Sequence, residues 1–114
     1  MKKSLIIATF LVFGFTFSQN ITPKYEVVNN KVKATYFYEN GQIKQEGFYL
    51  NGKLHGKWTS YNEDGTKQSI GEYNNGVKTG KWFFWNNSLL SEVDYANNKV
   101  VAVNNWSNTR LAKN

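Results

Sequence analysis

Few side chains in this sequence are of types that carry chemistry. Cysteine is absent and His55 is the single histidine, so a thiol nucleophile is excluded and a serine triad would have to be built on His55. Metal binding needs several His or Cys, or a cluster of carboxylates, and Glu63-Asp64 is the nearest approach. Because Asp64 precedes Gly65, a turn is the more economical reading, aspartate being common there for backbone reasons. Glu46 and Glu72 could be set out as the two carboxylates of a glycosidase. Both fall beside Lys57 in the register derived below, and cross-strand charge pairing accounts for them. The sequence therefore reads as non-enzymatic, with no catalytic residue, metal or cofactor. What remains is surface: Tyr61, Phe83 and Trp85, near Gln68 and Leu90, form a strip of rings with polar neighbours, a composition that marks partner or ligand sites.

The elements that must carry this strip declare themselves by repetition. Gly47, Tyr49, Asn51, Gly52, Gly56, Lys57 and Trp58 recur 24 residues later as Gly71, Tyr73, Asn75, Gly76, Gly80, Lys81 and Trp82. A fixed period in this range marks an array of supersecondary units, each of which buries its apolar face only by stacking on its neighbours. Paired turn residues punctuate it at Asn29-Asn30, Asn40-Gly41, Asn51-Gly52, Asp64-Gly65, Asn75-Gly76, Asn87-Ser88 and Asn97-Asn98. Such pairs supply the positive φ angles of type I′ hairpin turns. Seven turns predict about eight strands in an all-β, single-layer, twisted antiparallel meander. Only Asp64-Gly65 suggests a longer or bulged loop.

Two-residue loops fix a register. Around Asn51-Gly52, Tyr49 faces Leu54, Gly47 faces Gly56 and Gln45 faces Trp58; around Asn40-Gly41, Tyr38 faces Ile43, Tyr36 faces Gln45 and Ala34 faces Gly47. Carried through every turn, the parity gathers Tyr25, Val27, Val32, Ala34, Tyr36, Tyr38, Ile43, Tyr49, Leu54, Trp58, Tyr73, Trp82, Phe84, Leu89, Val93, Tyr95, Val100, Ala102 and Trp106 on one side. A slip of one residue would scatter that set. Gly56 and Gly80 then lie opposite Tyr73 and Tyr95, and Gly71 opposite Trp58, as bare backbone on which a ring can rest. The other side pairs Glu26 with Lys33, Glu46 and Glu72 with Lys57, and Lys81 with Asp94, which marks it as wetted. His55 falls on this side as a residue of the repeat. The Asn-Asn ends read as capping half-units.

Residues 1–18 have the form of a secretory signal: Lys2 and Lys3, an apolar run from Leu5 to Phe15, and Thr16-Phe17-Ser18 before a cleavage at Gln19. The run is too short for a membrane span, which needs about 20 apolar residues, so the mature chain carries no transmembrane anchor and is expected in the periplasm or outside the cell. Loss of Lys2 and Lys3 lowers the net charge from +6 to +4, and the remaining basic residues are scattered singly. The footprint of a nucleic-acid binder is missing. Residues 19–106 form the repeat domain, and 107–114 read as a frayed tail.

Asn51-Gly-Lys-Leu-His-Gly-Lys-Trp58 and its echo Asn75-Gly-Val-Lys-Thr-Gly-Lys-Trp82 resemble the MORN (membrane occupation and recognition nexus) repeat. The likeness is closer to the bacterial variant in proteins labelled YwqK-type antitoxins of toxin-antitoxin systems, here in what looks like a flavobacterial exported form. The resemblance covers Tyr36 to Tyr95 and implies a β-hairpin array used for binding, with Gly47, Tyr49, Gly52, Gly56, Trp58, Gly71, Tyr73, Gly76, Gly80 and Trp82 as its structural residues. The phosphoinositide binding of eukaryotic MORN proteins does not carry over, because no basic cluster matches. Similar sequences also bear the label nicotinic acid mononucleotide adenyltransferase. That activity would need a Rossmann-like sheet and a His-x-Gly-His motif, where this chain has Leu54-His55-Gly56-Lys57 between hairpin strands. The expectation is an exported module for protein binding or scaffolding in the cell envelope. An antitoxin or immunity-like partner of a toxin and a carbohydrate-binding module stand as alternatives, and a face-to-face homodimer is one way to cover the apolar side.

Overall fold

The computed structural model of the chain describes residues 21–107. The expected signal and cleavage site, and the residues from 108 onward, lie outside them. Nine strands form one antiparallel sheet: β1 (Lys24–Val28), β2 (Lys31–Phe37), β3 (Ile43–Leu50), β4 (Lys53–Leu54), β5 (Gly56–Tyr61), β6 (Lys67–Asn74), β7 (Val77–Asn86), β8 (Leu89–Ala96) and β9 (Lys99–Ser107). Their spatial order follows the chain, with β4 a short spur on β3. The fold is the expected all-β meander of hairpins, with one predicted strand broken into β4 and β5. Ser107, assigned to the tail from the sequence, closes β9 opposite Leu89.

Turn chemistry sets the hairpins. Asn51-Gly52, Asn75-Gly76 and Asn97-Asn98 have positive φ at both residues, the requirement of a type I′ turn. At Asn40-Gly41 and Asp64-Gly65 only the glycine does, and the loops are longer. Tyr38 N donates to Gln42 O and Asn62 N to Thr66 O, so three residues are enclosed and the glycine supplies the left-handed position of a bulged loop. The longer loop anticipated at Asp64-Gly65 is thus also present at Asn40-Gly41. One consequence is a correction of register: Ile43 faces Phe37, not Tyr38, while Tyr36–Gln45 and Ala34–Gly47 stand as predicted.

A second correction concerns the middle of each unit. Tyr49 faces Leu54, but beyond it Glu46 faces Thr59 and Gln45 faces Ser60, so Gly47 does not face Gly56, nor Gln45 Trp58. The ladder slips by two residues at His55-Gly56 and again at the matching place in β7. Gly56 and Gly80 sit in these bulges at φ +86 and +73, with open space where a Cβ would be. Their role is conformational and not, as the sequence suggested, to bed a ring. An even slip leaves the faces unchanged.

Gly47 and Gly71 are the ring-bedding positions. A Cβ on Gly47 would overlap the indole of Trp58, and one on Gly71 that of Trp82. Each indole also donates Nε1 to a carbonyl beside its glycine, Trp58 to Phe48 O at 3.0 Å and Trp82 to Glu72 O at 3.2 Å. From these anchors an aromatic ladder spans the sheet: Tyr25–Tyr36, Tyr49–Trp58, Trp58–Tyr73, Tyr73–Trp82 and Trp82–Tyr95 meet edge to face at 5.1 to 6.3 Å. The hydroxyls of Tyr36 and Tyr49, 3.0 Å apart, close its one gap. Edge-to-face contact at these distances adds about 0.5 to 1.5 kcal/mol per pair beyond burial. Burial is confined to the middle of the sheet: Ala34, Trp58 (6 % exposed), Trp82 (5 %) and Val93 are its apolar core.

At the C-terminal edge the ladder slips once more, by a single residue, between Asp94 and Tyr95. An odd slip turns a strand over. Ala102 therefore faces Asp94 and Trp106 faces Leu90, both on the charged side and not among the core rings where the predicted parity had put them. The Asn97-Asn98 turn is also more than a half-unit cap. Asn98 N bonds Lys78 O as Gly76 N bonds Leu54 O, which docks the last hairpin as the preceding one is docked.

Candidate functional site

The sequence singled out Tyr61, Phe83, Trp85 and Gln68, and the structure distributes them over two neighbouring places. Tyr61 ends β5 and donates its hydroxyl to Glu46 Oε2 at 3.2 Å. Burial, followed by the charge of Glu46, raises its pKa above the ordinary phenol value. With Lys33, Phe48, Lys57, Thr59, Lys67 and Ile70 it lines a shallow groove of about 210 Å³ on the charged face. Glu46 is thus bonded to a phenol and faces Thr59, so its expected pairing with Lys57 is not made. Lys57 does face Glu72. Lys81 takes up both Asp94 at 3.1 Å and Glu92 at 2.9 Å, and these carboxylates raise its pKa.

Phe83 and Trp85 lie two positions apart on β7 and share a tilted contact, ring centroids 6.4 Å apart. Trp85 faces Leu90, which in turn faces Trp106. The strip thus runs on to the last strand, an extension hidden from sequence reasoning by the slip at Asp94/Tyr95. Gln68 meets Trp85 in an open cleft of about 690 Å³ with Asn62, Ser69, Phe84, Asn86 and Asn87. A second opening of about 750 Å³, lined by Asn62, Asp64, Gly65, Thr66, Lys67, Trp85 and Asn87, lies against it. Asn62, Trp85 and Asn87 line both, so together they form one cleft around Trp85. Asn62, Asp64 and Asn87 were not chosen from the sequence; their signal was present only as loop residues next to a ring.

The cleft exists because β6 and β7 part company. Their ladder ends at Ser69–Phe84, after which β6 runs through a bulge into the loop at residues 62–66 while β7 continues along β8 to Asn86–Leu89. The loop is stiffened by its own polar groups. Thr66 N and Oγ1 both bond Asp64 Oδ1, at 3.0 and 2.6 Å, Asn62 Nδ2 bonds Thr66 Oγ1 at 2.9 Å, and Asn40 Nδ2 ties Glu63 O from the neighbouring loop at 3.0 Å. The Thr66 hydroxyl and amide hold the Asp64 carboxyl below the usual carboxylate value.

His55, the one histidine, has a structural post. Its backbone N bonds Phe48 O and its Nδ1 accepts from Asn75 N at 3.2 Å, capping the next turn. Glu63 and Asp64 belong to the loop just described. Among the described residues no three His, Asp or Glu side chains converge as metal ligands.

With this geometry in view, the family model described as MORN repeat variant matches residues 32–53 and 54–75, which supports a MORN-repeat protein. The matched stretches run from β2 through β6, and the hairpins formed by β7, β8 and β9 continue past them to Ser107. Repeats of this kind are generally modules that bind proteins or membranes, without catalysis of their own. No curated protein matches the chain.

Proposed function

We propose that the protein is an exported, non-enzymatic repeat module that binds another protein through the C-terminal edge of its sheet. One observation carries this reading. β9 is a nine-residue edge strand whose only charge is Lys99, and Val100, Val101 and Val103 on it are 55, 64 and 52 % exposed. A long edge that is apolar from Val100 to Val103, with a single charge and no proline, offers backbone donors and acceptors to another strand there, and proteins that have no use for such an edge blunt it. β1, the other edge, is shorter and carries Lys24 and Glu26. Export rests on the signal-like residues 1–18 and cleavage before Gln19.

A photo-crosslinking residue at Val101 in the exported chain tests both parts. The expected result is a mature chain beginning at Gln19 by mass spectrometry, with one stoichiometric envelope protein joined at Val101 and none joined from a control at Asn75. Equal labelling from the two positions, or an uncleaved cytoplasmic chain, would contradict the reading.

A further inference from the structure

The repeat makes its own control for the cleft around Trp85. Twenty-four residues earlier the same space lies between the loop at residues 38–42 and the end of β5, and there it is plugged. Tyr38 donates its hydroxyl to Tyr61 O at 2.6 Å, and Asn40 donates to Glu63 O at 3.0 Å. An opening of about 190 Å³ there is lined by Gln42, Ile43, Tyr61 and Gly65. In the next unit the counterparts of Tyr38, Asn40 and Tyr61 are Asn62, Asp64 and Trp85. The plugging ring has become a short amide, the clamping amide a carboxylate that cannot donate, and the ring of the wall a larger indole. The space opens to about 690 and 750 Å³ on the two sides of Trp85. We propose that this cleft is a saccharide-binding site, in which Trp85 is the platform for a neutral pyranose and Gln68, Asn62 and Asp64 read its hydroxyls.

The chemistry selects that ligand class. An indole face carries negative quadrupole potential, which suits the weakly positive axial C–H face of a pyranose. Phe83 meets Trp85 in a tilted contact, ring centroids 6.4 Å apart, and adds a second apolar ring to the platform. Amides both donate and accept, and an ionised carboxylate accepts only, so the lining matches hydroxyls, which do both. The loop carrying Asn62 and Asp64 is already held by internal hydrogen bonds, which removes much of the ordering penalty of binding. A protein anchor would want a dry, closed pocket, whereas this cleft is wide and polar. A polyanion finds no field, because Asp64 stands beside the one lysine of the lining, Lys67. The proposal does not depend on the β9 edge, and each can fail without the other.

The test is calorimetric titration of the mature chain with soluble neutral hexaoses built from glucose, mannose, xylose, galactose and N-acetylglucosamine, alongside an acidic hexauronate. Saturable binding of at least one neutral member, tighter than about 1 mM, is expected, with intrinsic fluorescence responding. Trp85→Ala should weaken it about tenfold or more, and Asn62→Tyr, which restores the plug of the preceding unit, should abolish it while circular dichroism and the urea midpoint hold. Glu26→Gln, on β1 at the far edge of the sheet, should leave it unchanged. Absence of saturable binding across the neutral panel would overturn the proposal. So would preference for the hexauronate, or affinity that survives both Trp85→Ala and Asn62→Tyr.

Discussion

Two spaces between hairpin loops, one beside Tyr61 and the other beside Trp85, are built from the same backbone. Both loops enclose three residues with a left-handed glycine, and in both the residue before that glycine accepts from the backbone two positions on, Asn40 from Gln42 N and Asp64 from Thr66 N. Yet the first space is filled by Tyr38 and the second stands open. What differs is only side chain. An array can therefore hold its architecture fixed through glycines, turns and one indole per unit while the loop positions vary without consequence for the fold. That separation is the physical reason a repeat can be legible as structure and silent as to ligand.

The comparison predicts first that the cores of the two units are equivalent. Trp58→Ala and Trp82→Ala should each destabilise by about 3 to 5 kcal/mol, read from urea titration. A loss below about 1 kcal/mol in either would mean that its indole is not the anchor of its unit. Next, the two kinds of glycine should separate. Gly47→Ala and Gly71→Ala push a methyl into an indole and should lose about 1 to 3 kcal/mol by overpacking. Gly56→Ala and Gly80→Ala meet open space and should lose only the left-handed strain, about 1 kcal/mol. Asparagine at Gly56, which tolerates that backbone, should recover part of the loss, whereas asparagine at Gly47 should not.

A smaller effect reaches the plug itself. Tyr38→Phe removes the bond to Tyr61 O and should lose about 0.5 to 1.5 kcal/mol, while Asn62→Ala, whose side chain plugs nothing, should lose less. Titration should set the loops apart as well. Because Asp64 is held below its ordinary value of 3.8 by Thr66, its contribution to stability is present above that value and fades as pH falls through the folded one. Thr66→Val should raise the Asp64 pKa in carbon-detected NMR and flatten the acid limb; Asn40, which does not titrate, gives the first loop no such limb. At the alkaline end, burial followed by the nearby Tyr95 raises Tyr73 above 10.0. Folding then weakens as pH rises past 10, and Tyr73→Phe should remove part of that loss.

Much of this was legible in the residues. The offset of 24, the Asn-Gly turns and the alternation of rings specify the meander and the face on which Trp58 and Trp82 lie. The slips were not legible. Gly56 reads in sequence like Gly47, and only a backbone angle tells a glycine that bends a strand from one that beds a ring. The single-residue slip at Asp94/Tyr95 has no glycine to announce it, so Ala102 and Trp106 were placed on the wrong side. The cleft was half visible. Trp85 and Gln68 could be named, but the change from Tyr38 to Asn62 acquires meaning only when both loops are known to have one geometry.

The most direct measurement of the account is fluorine NMR of the chain labelled with 5-fluorotryptophan, in the presence of a soluble gadolinium chelate. Equivalent cores and an open second cleft require the Trp58 and Trp82 resonances to be protected alike and the Trp85 resonance to broaden strongly. If Trp85 were protected as well as Trp82, or Trp58 and Trp82 relaxed at widely different rates, the two units would not share one architecture with one open space, and the account would be wrong.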